Sequence, residues 1–309
     1  MELLIISPWS MSTFSKSYSL VVSSWRLIKS EPEMMLISVL NFIVLATFFI
    51  VVCIVLYYFF DIASLPVDSV NMLWETLHGK IEITSFALSF ALVFVFINYF
   101  FNSALIFIAN ESIEGRKSSF GEGMHLTLSL SSKLLMWSFV FVVFGWMVSL
   151  LEKTRIIGYI IARLLGSAWG LLTYFTVPVM VVERKSVLDS AKKSAEIFLK
   201  TWGETLVVNF GVGFFFGSII FCLVTVLIVG LFTLTMFDLS AFVSAVVIIS
   251  FIVLLCAMIF FIMVLSNTMD QIVNLVLYRY ATNRKIPSHF DRVLIESILE
   301  KKTSEPKQV

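Results

Sequence analysis

The chain has 309 residues, of which 59% are hydrophobic and 14% charged, with a mean hydropathy of +0.97 and a formal net charge of +1. A soluble domain carries roughly 25% charged and about 45–50% apolar residues, and one water-soluble core of this length cannot bury so much apolar surface. Lipid is the expected solvent, no nucleic-acid partner is expected, and the distribution of the charges says more than their sum.

The opening MELLIISPWSM is too short for a cleavable signal and lacks its basic start, and Met11 is an alternative first residue. Over 16–29, Tyr18, Val21, Val22, Trp25 and Ile28 form one helical stripe, with Lys16, Arg26 and Lys29 free to stay in the headgroup layer. That pattern predicts a short helix in the plane of the membrane interface. Ser30 and Glu33, with Pro32 between them, have the spacing of a capping box that starts the next helix.

Six membrane spans are predicted: Met34–Phe60, Ile83–Asn110, Leu134–Leu151, Ile156–Val182, Thr205–Met236 and Leu239–Ser266. Each meets or approaches the ~20 residues that a ~30 Å hydrocarbon core requires. Spans 3 and 4 are separated only by Glu152–Arg155 and must form a tight hairpin, and spans 5 and 6 turn near Phe237–Asp238. The 1–2 loop, with Asp61, Asp68, Glu75 and Glu82 against Lys80, is a short acidic segment on the outer face. Past Ser266, Met269, Ile272, Val273, Val276 and Tyr280 continue a helical stripe that Asp270, Arg279 and Arg284 make amphipathic. Ser288 and Asp291 begin a further helix, and KKTSEPKQV reads as a disordered tail. The resulting divisions are an arm over 1–33, a transmembrane domain over 34–266, amphipathic helices over 267–300 and the tail over 301–309.

Lys and Arg set the orientation. One side collects the N-terminal arm, Arg116, Lys117 and Lys133 of the 2–3 loop, Arg184, Lys185, Lys192, Lys193 and Lys200 of the 4–5 loop, and the tail. Of 22 such residues the other side holds Lys80, Lys153 and Arg155, plus Arg163 just inside span 4. The fold expected is thus all-α: a polytopic membrane protein with six transmembrane helices, amphipathic interfacial helices and both termini cytoplasmic. Arg116-Lys117-Ser118 leading to Lys133 and Trp137 is echoed by Arg184-Lys185-Ser186 leading to Lys200 and Trp202. Repetition of a "surface helix, span out, span back" unit would account for this echo.

At NYFFNSALIF (98–107), AWGLLTYFTVPVMVVE (168–183) and KSAEIFLKTWGE (193–204) the chain resembles a group of prokaryotic multi-span membrane proteins known as a domain of unknown function. The resemblance runs from the N-terminal interfacial helix through span 5 and is strongest in spans 2–5. It implies a bacterial or archaeal membrane location and a fold, and it brings no activity, cofactor or catalytic residue.

Candidate sites are the polar interruptions of apolar sequence, which lipid makes costly. Asn98 and Asn102 lie one turn apart in span 2, as a polar lining or as interhelical hydrogen-bonding groups. Arg163 either snorkels to the outer headgroups or meets a buried partner or an anionic ligand. Gly166 and Gly170 in span 4, and Gly213 and Gly217 in span 5, have small-xxx-small spacing suited to close helix packing. Pro178 should free the Tyr174 carbonyl and kink span 4, as a hinge, a substrate-facing break or a simple bend. Arg184, Lys185, Lys192, Lys193 and Lys200, opposite Val187, Ala191, Ala195, Phe198 and Leu199, suit anionic lipid headgroups.

Cys53, Cys222 and Cys256 lie in apolar runs without CxxC spacing and read as small buried hydrophobes. His78 lies across the membrane from His125 and His289, and no metal or nucleophile motif is present. Asn110-Glu111-Ser112 matches a glycosylation sequon on the wrong side. No cofactor is expected. The sequence favours a non-catalytic protein that organises membrane or envelope by binding lipid or a membrane partner. The alternative is a transporter or channel for a small or amphipathic solute built on spans 2, 4 and 5. An enzyme acting on lipid lacks an acid, base or nucleophile set.

Overall fold

The computed structural model describes residues 22–59, 77–154, 156–234 and 241–282, and every regular element among them is helical. The helices are α1 (22–30), α2 (Glu33–Phe59), α3 (Leu77–Ile113), α4 (Phe120–Glu152), α5 (Ile156–Leu172), α6 (Thr176–Glu183), α7 (Val187–Leu234) and α8 (Ala241–Ala281). Five segments are long and apolar enough to cross a membrane: Glu33–Tyr58, Ile81–Ile113, Phe120–Glu152, Ile156–Glu183 and Val246–Ala281. They cover the expected spans 1–4 and 6, and the apolar stretch Phe215–Gly230 inside α7 falls in span 5. Most of the 1–2 loop, the first part of the interfacial helix, the Ser288 helix and the tail lie outside the described residues, whereas Lys80 and Glu82, read as loop, fall in the first turns of α3.

The helix boundaries follow from local chemistry. α3 closes at Gly115, whose φ of +79° is open to glycine at no steric cost. The Gly115 N–H bonds Ser112 at 3.0 Å and the Arg116 N–H bonds Glu111 at 2.9 Å, a Schellman closure. α4 opens on a capping box: Ser119 Oγ accepts the Glu122 N–H at 3.3 Å and the Glu122 carboxylate accepts the Ser119 N–H at 2.9 Å. The box expected at Ser30 gives way to another bond, since that hydroxyl donates to the Leu27 carbonyl at 2.8 Å and closes α1.

Two surface segments expected to be separate helices are the first turns of long ones. α4 runs 33 residues and α7 runs 48 without interruption. No proline falls in either, and an interior glycine costs only about 1 kcal/mol relative to alanine. At 1.5 Å per residue α7 measures roughly 70 Å, more than twice a ~30 Å hydrocarbon layer, so it extends beyond lipid.

The chain forms two compact units, Leu36–Lys200 and Met1–Met35 with Thr201–Val309. In the Leu36–Lys200 unit, α3 and α4 pack as a hairpin through buried Ala104, Leu105 and Ile108 on one helix and Leu126, Leu130 and Leu134 on the other. Gly123 lies at a close approach of the two helices: a Cβ there would lie 3.2 Å from the Ile108 side chain and 3.4 Å from the Ala104 carbonyl. α5 lies on α4 through Trp169, stacked on Phe144 at 4.1 Å and facing Trp137 at 6.0 Å. Phe48 of α2 stacks on Phe90 of α3 at 5.2 Å. Lipid is as apolar as leucine, so these contacts hold by dispersion and shape rather than by expulsion of water. The outward faces are apolar, as Ile54, Tyr58, Phe139, Ile156 and Leu164 show.

In the second unit α1 buries Ser23, Ser24, Leu27 and Ile28, and Lys29 sits 5.3 Å over the Trp25 ring. The described part of α8 continues through Ser266 without a break to Ala281, with Met269, Ile272, Val273 and Val276 buried. Arg279, expected on a polar face, is 1% exposed. The three cysteines are free and lie on the surface of the chain, which corrects their reading as buried.

Candidate functional site

The polar ends of α3, α4, α6 and α7 in the Leu36–Lys200 unit carry two turns of similar construction. In the first, the Arg116 guanidinium clasps the Glu111 carboxylate, with Nη2 to Oε1 at 2.9 Å. That hydrogen bond holds Arg116 above its ordinary pKa. In the second, α6 ends at Glu183, whose carboxylate takes Lys193 at 2.6 Å and Lys185 at 3.1 Å. The Lys185 ammonium is held above its usual pKa, chiefly by its hydrogen bond to Glu183. Ser186 then accepts the Asp189 N–H at 3.3 Å and opens α7 as Ser119 opens α4. The sequence echo is therefore also an echo of capping.

Between Glu183 and Ser186, Arg184 adopts φ 57°, the left-handed region that costs an L residue roughly 1–2 kcal/mol. Lys133, from α4, fixes it there: its ammonium donates to the Arg184 carbonyl at 2.8 Å and the Lys185 carbonyl at 3.0 Å. The exposed Arg184 side chain lines a cleft of about 610 Å³ with Ser119, Glu122, His125 and Ser129, and with the apolar Phe107 and Leu126. This cleft was not singled out by the sequence, because its residues are spread from 107 to 184 and each alone is ordinary.

Asn98 and Asn102 bond each other, Nδ2 of Asn102 to Oδ1 of Asn98 at 2.7 Å, and Asn102 is buried. Arg163 is two-thirds exposed, pairs with Glu152 at 3.5 Å across the α4–α5 hairpin and lies 5.2 Å from the Tyr159 ring. Those partners lie at the Glu152 end of α4, away from its Ser119 cap. Gly170 and Gly217 have open space where a Cβ would point, and Gly166 has only Val148 at 3.9 Å. Of these three glycines, Gly166 meets another helix, α4, at ordinary contact distance, and Gly170 and Gly217 meet none among the described residues. The side-chain surroundings of Gly213 fall outside the description.

Span 4 breaks one turn before Pro178 rather than kinking at it. α5 ends at Leu172 and α6 begins at Thr176, so Pro178 occupies the first turn of a new helix, where its missing N–H is not needed. Its ring would meet the carbonyl of residue 174 in a continuous helix, which moves the break upstream. Ser194 of α7 fills the gap, accepting the Phe175 N–H at 2.9 Å and donating to the Leu172 carbonyl at 2.7 Å. The buried face of 187–200 is accordingly Val187, Ser190, Ser194, Ile197 and Phe198. Leu199, expected to be inside, is 66% exposed. Lys192 and Lys200 are exposed, whereas Lys193 is taken up by Glu183.

A helical chain with five segments able to cross a membrane, and a charged rim at the ends of three of them, is a multi-pass membrane protein. The family of unknown function DUF6159 matches residues 82–287, more than half of the chain, and the chain belongs to that family. The match extends past span 5 to the helix beyond Ser266 and does not include the N-terminal helix, which shifts the extent read from the sequence. No curated protein and no solved structure matches the chain.

Proposed function

We propose that this is a non-catalytic protein of a bacterial or archaeal cytoplasmic membrane, with both termini inside, that binds anionic lipid headgroups, and through them or directly a membrane partner, along its basic rim. The observation that carries this reading is the exposure of Arg184, Lys192 and Lys200, while the Val187–Phe198 stripe of the same segment is buried. A cation near an anionic surface contributes about 1 kcal/mol, so several exposed cations together give lasting retention. The test is purification in native-lipid particles with mass spectrometry of the retained lipid, for the wild type and for Lys192→Gln/Lys200→Gln. The double variant should retain several-fold less phosphatidylglycerol. Equal retention would remove the basis of this reading.

The break in span 4 is the observation that favours a second reading, a solute path, because discontinuous helices recur at transporter sites. Two of its backbone groups, the Phe175 N–H and the Leu172 carbonyl, are already engaged by Ser194, which favours the lipid reading. Solute flux into vesicles carrying the pure protein would reverse that preference.

A further inference from the structure

The cleft between Arg184 and Glu122 differs from the rest of the rim, because it offers a cation and a carboxylate to the same occupant. We propose that it is a binding site for a zwitterionic phosphoethanolamine headgroup, with the phosphate at Arg184 and the ammonium at Glu122. This deepens the headgroup-binding reading and rests on it for placing the rim at the level of the headgroups.

No ion pair among the described residues occupies the Arg184 guanidinium, and Lys133 fixes the backbone that carries it. A guanidinium held on a fixed main chain presents a preformed fork for phosphate oxygens. Glu122 commits Oε2 to the Ser119 N–H at 2.9 Å and keeps Oε1 for another donor. A purely anionic headgroup would face that carboxylate unpaired, and a choline carries no N–H to give it. A primary ammonium supplies three donors.

The lining is mixed, charged and polar at Arg184, Glu122 and Ser119 and apolar at Phe107 and Leu126. Arg184 directly follows the membrane-spanning segment ending at Glu183, and Ser119 directly precedes the one starting at Phe120. Phe107 and Leu126 give the cleft an apolar wall beside its charged groups, for the glycerol and first methylenes. A cleft of about 610 Å³ falls within the ~300–1,000 Å³ typical of small-ligand sites.

The test uses the full chain in detergent, loaded with phosphatidylethanolamine, phosphatidylcholine or phosphatidylglycerol of identical acyl chains and read by native mass spectrometry. Wild type should retain phosphatidylethanolamine at least about tenfold better than phosphatidylcholine, the effect of one charge-assisted hydrogen bond. Glu122→Gln, which can still reach the Ser119 N–H and keep the cap, should abolish that preference. Arg184→Gln should lower phosphatidylethanolamine retention by a similar factor, while Lys192→Gln/Lys200→Gln lowers phosphatidylglycerol alone. Soluble glycerophosphoethanolamine should not displace the lipid at equal concentration, and displacement at parity would overturn a lipid as the occupant. Equal retention of the two zwitterionic lipids, or an unchanged preference in Glu122→Gln, would overturn the site. Unchanged phosphatidylglycerol retention in Lys192→Gln/Lys200→Gln would sink the rim reading and leave the cleft result standing.

Discussion

Ser194 bridges the two halves of a broken membrane helix, taking the Phe175 N–H at 2.9 Å and giving its own hydrogen to the Leu172 carbonyl at 2.7 Å. Lipid offers no partner for freed backbone groups, so non-helical backbone at membrane depth persists only where protein supplies one. Here a single hydroxyl from the next helix serves both sides of the break.

Ser194→Ala should therefore lower stability by ~1–3 kcal/mol, the cost of leaving buried donors and acceptors unmade. Ser190, one turn away and equally buried, has an Oγ with no protein partner. Ser190→Ala should be neutral or slightly stabilising. Thermal unfolding of both variants in the same detergent decides the matter, and equal shifts would show that the break is held by something other than Ser194.

Arg184 supplies a second test, since its left-handed backbone is the one place in the described chain where a non-glycine residue has positive φ. Arg184→Gly removes that strain and should raise the midpoint by an amount corresponding to ~1 kcal/mol. Lys133→Met removes the two bonds that hold the turn and should lower it. Lys133→Met should cost less in the Arg184→Gly background than in the wild type, because glycine holds the turn without restraint. Strict additivity in this cycle would mean that the lysine does not restrain the turn.

These residues also show what the sequence could and could not reveal. Five apolar segments, the short α4–α5 connection and the echo of Arg-Lys-Ser turns were legible because they depend on hydropathy and local spacing. The rotation of the 187–200 face was not. Hydropathy put Leu199 inside and gave no weight to Ser190 and Ser194, yet the inner face is set by the need to cap a break that lies in another helix. Pro178 signalled the break but not its position, since the proline belongs to the turn after it. The cleft was invisible for a similar reason: Phe107, Glu122 and Arg184 come from three separate helix ends.

The glycines give opposite predictions at two sites. Gly123→Ala places a methyl 3.2 Å from Ile108 and 3.4 Å from the rigid Ala104 carbonyl, so the α3–α4 contact must shift, at ~1–3 kcal/mol. Ile108→Val in the same chain should recover part of the loss. Gly170→Ala and Gly217→Ala meet nothing within 4 Å and should gain up to ~1 kcal/mol through helix propensity. A large loss at Gly170 or Gly217 would reveal a packed partner against those faces, as their small-xxx-small spacing suggested.

Glu183 collects two ammonium groups on a side chain only 9% exposed, and the pair gives a pH signature. The folded pKa of Lys185 lies above its ordinary value of 10.5, chiefly because of its hydrogen bond to Glu183. A group raised on folding stabilises fully below its unfolded pKa and loses that contribution as pH climbs through the folded one. The melting midpoint should therefore fall above about pH 10.5 more steeply in the wild type than in Lys185→Gln. Lys185 is solvent-exposed, so the difference should be small and should shrink as salt is raised. Glu183→Gln strips the partner from both lysines and should lower the midpoint already at neutral pH, where Lys193 remains half-buried and uncompensated. Parallel alkaline slopes for wild type and Lys185→Gln would show that the Lys185–Glu183 contact carries no stability.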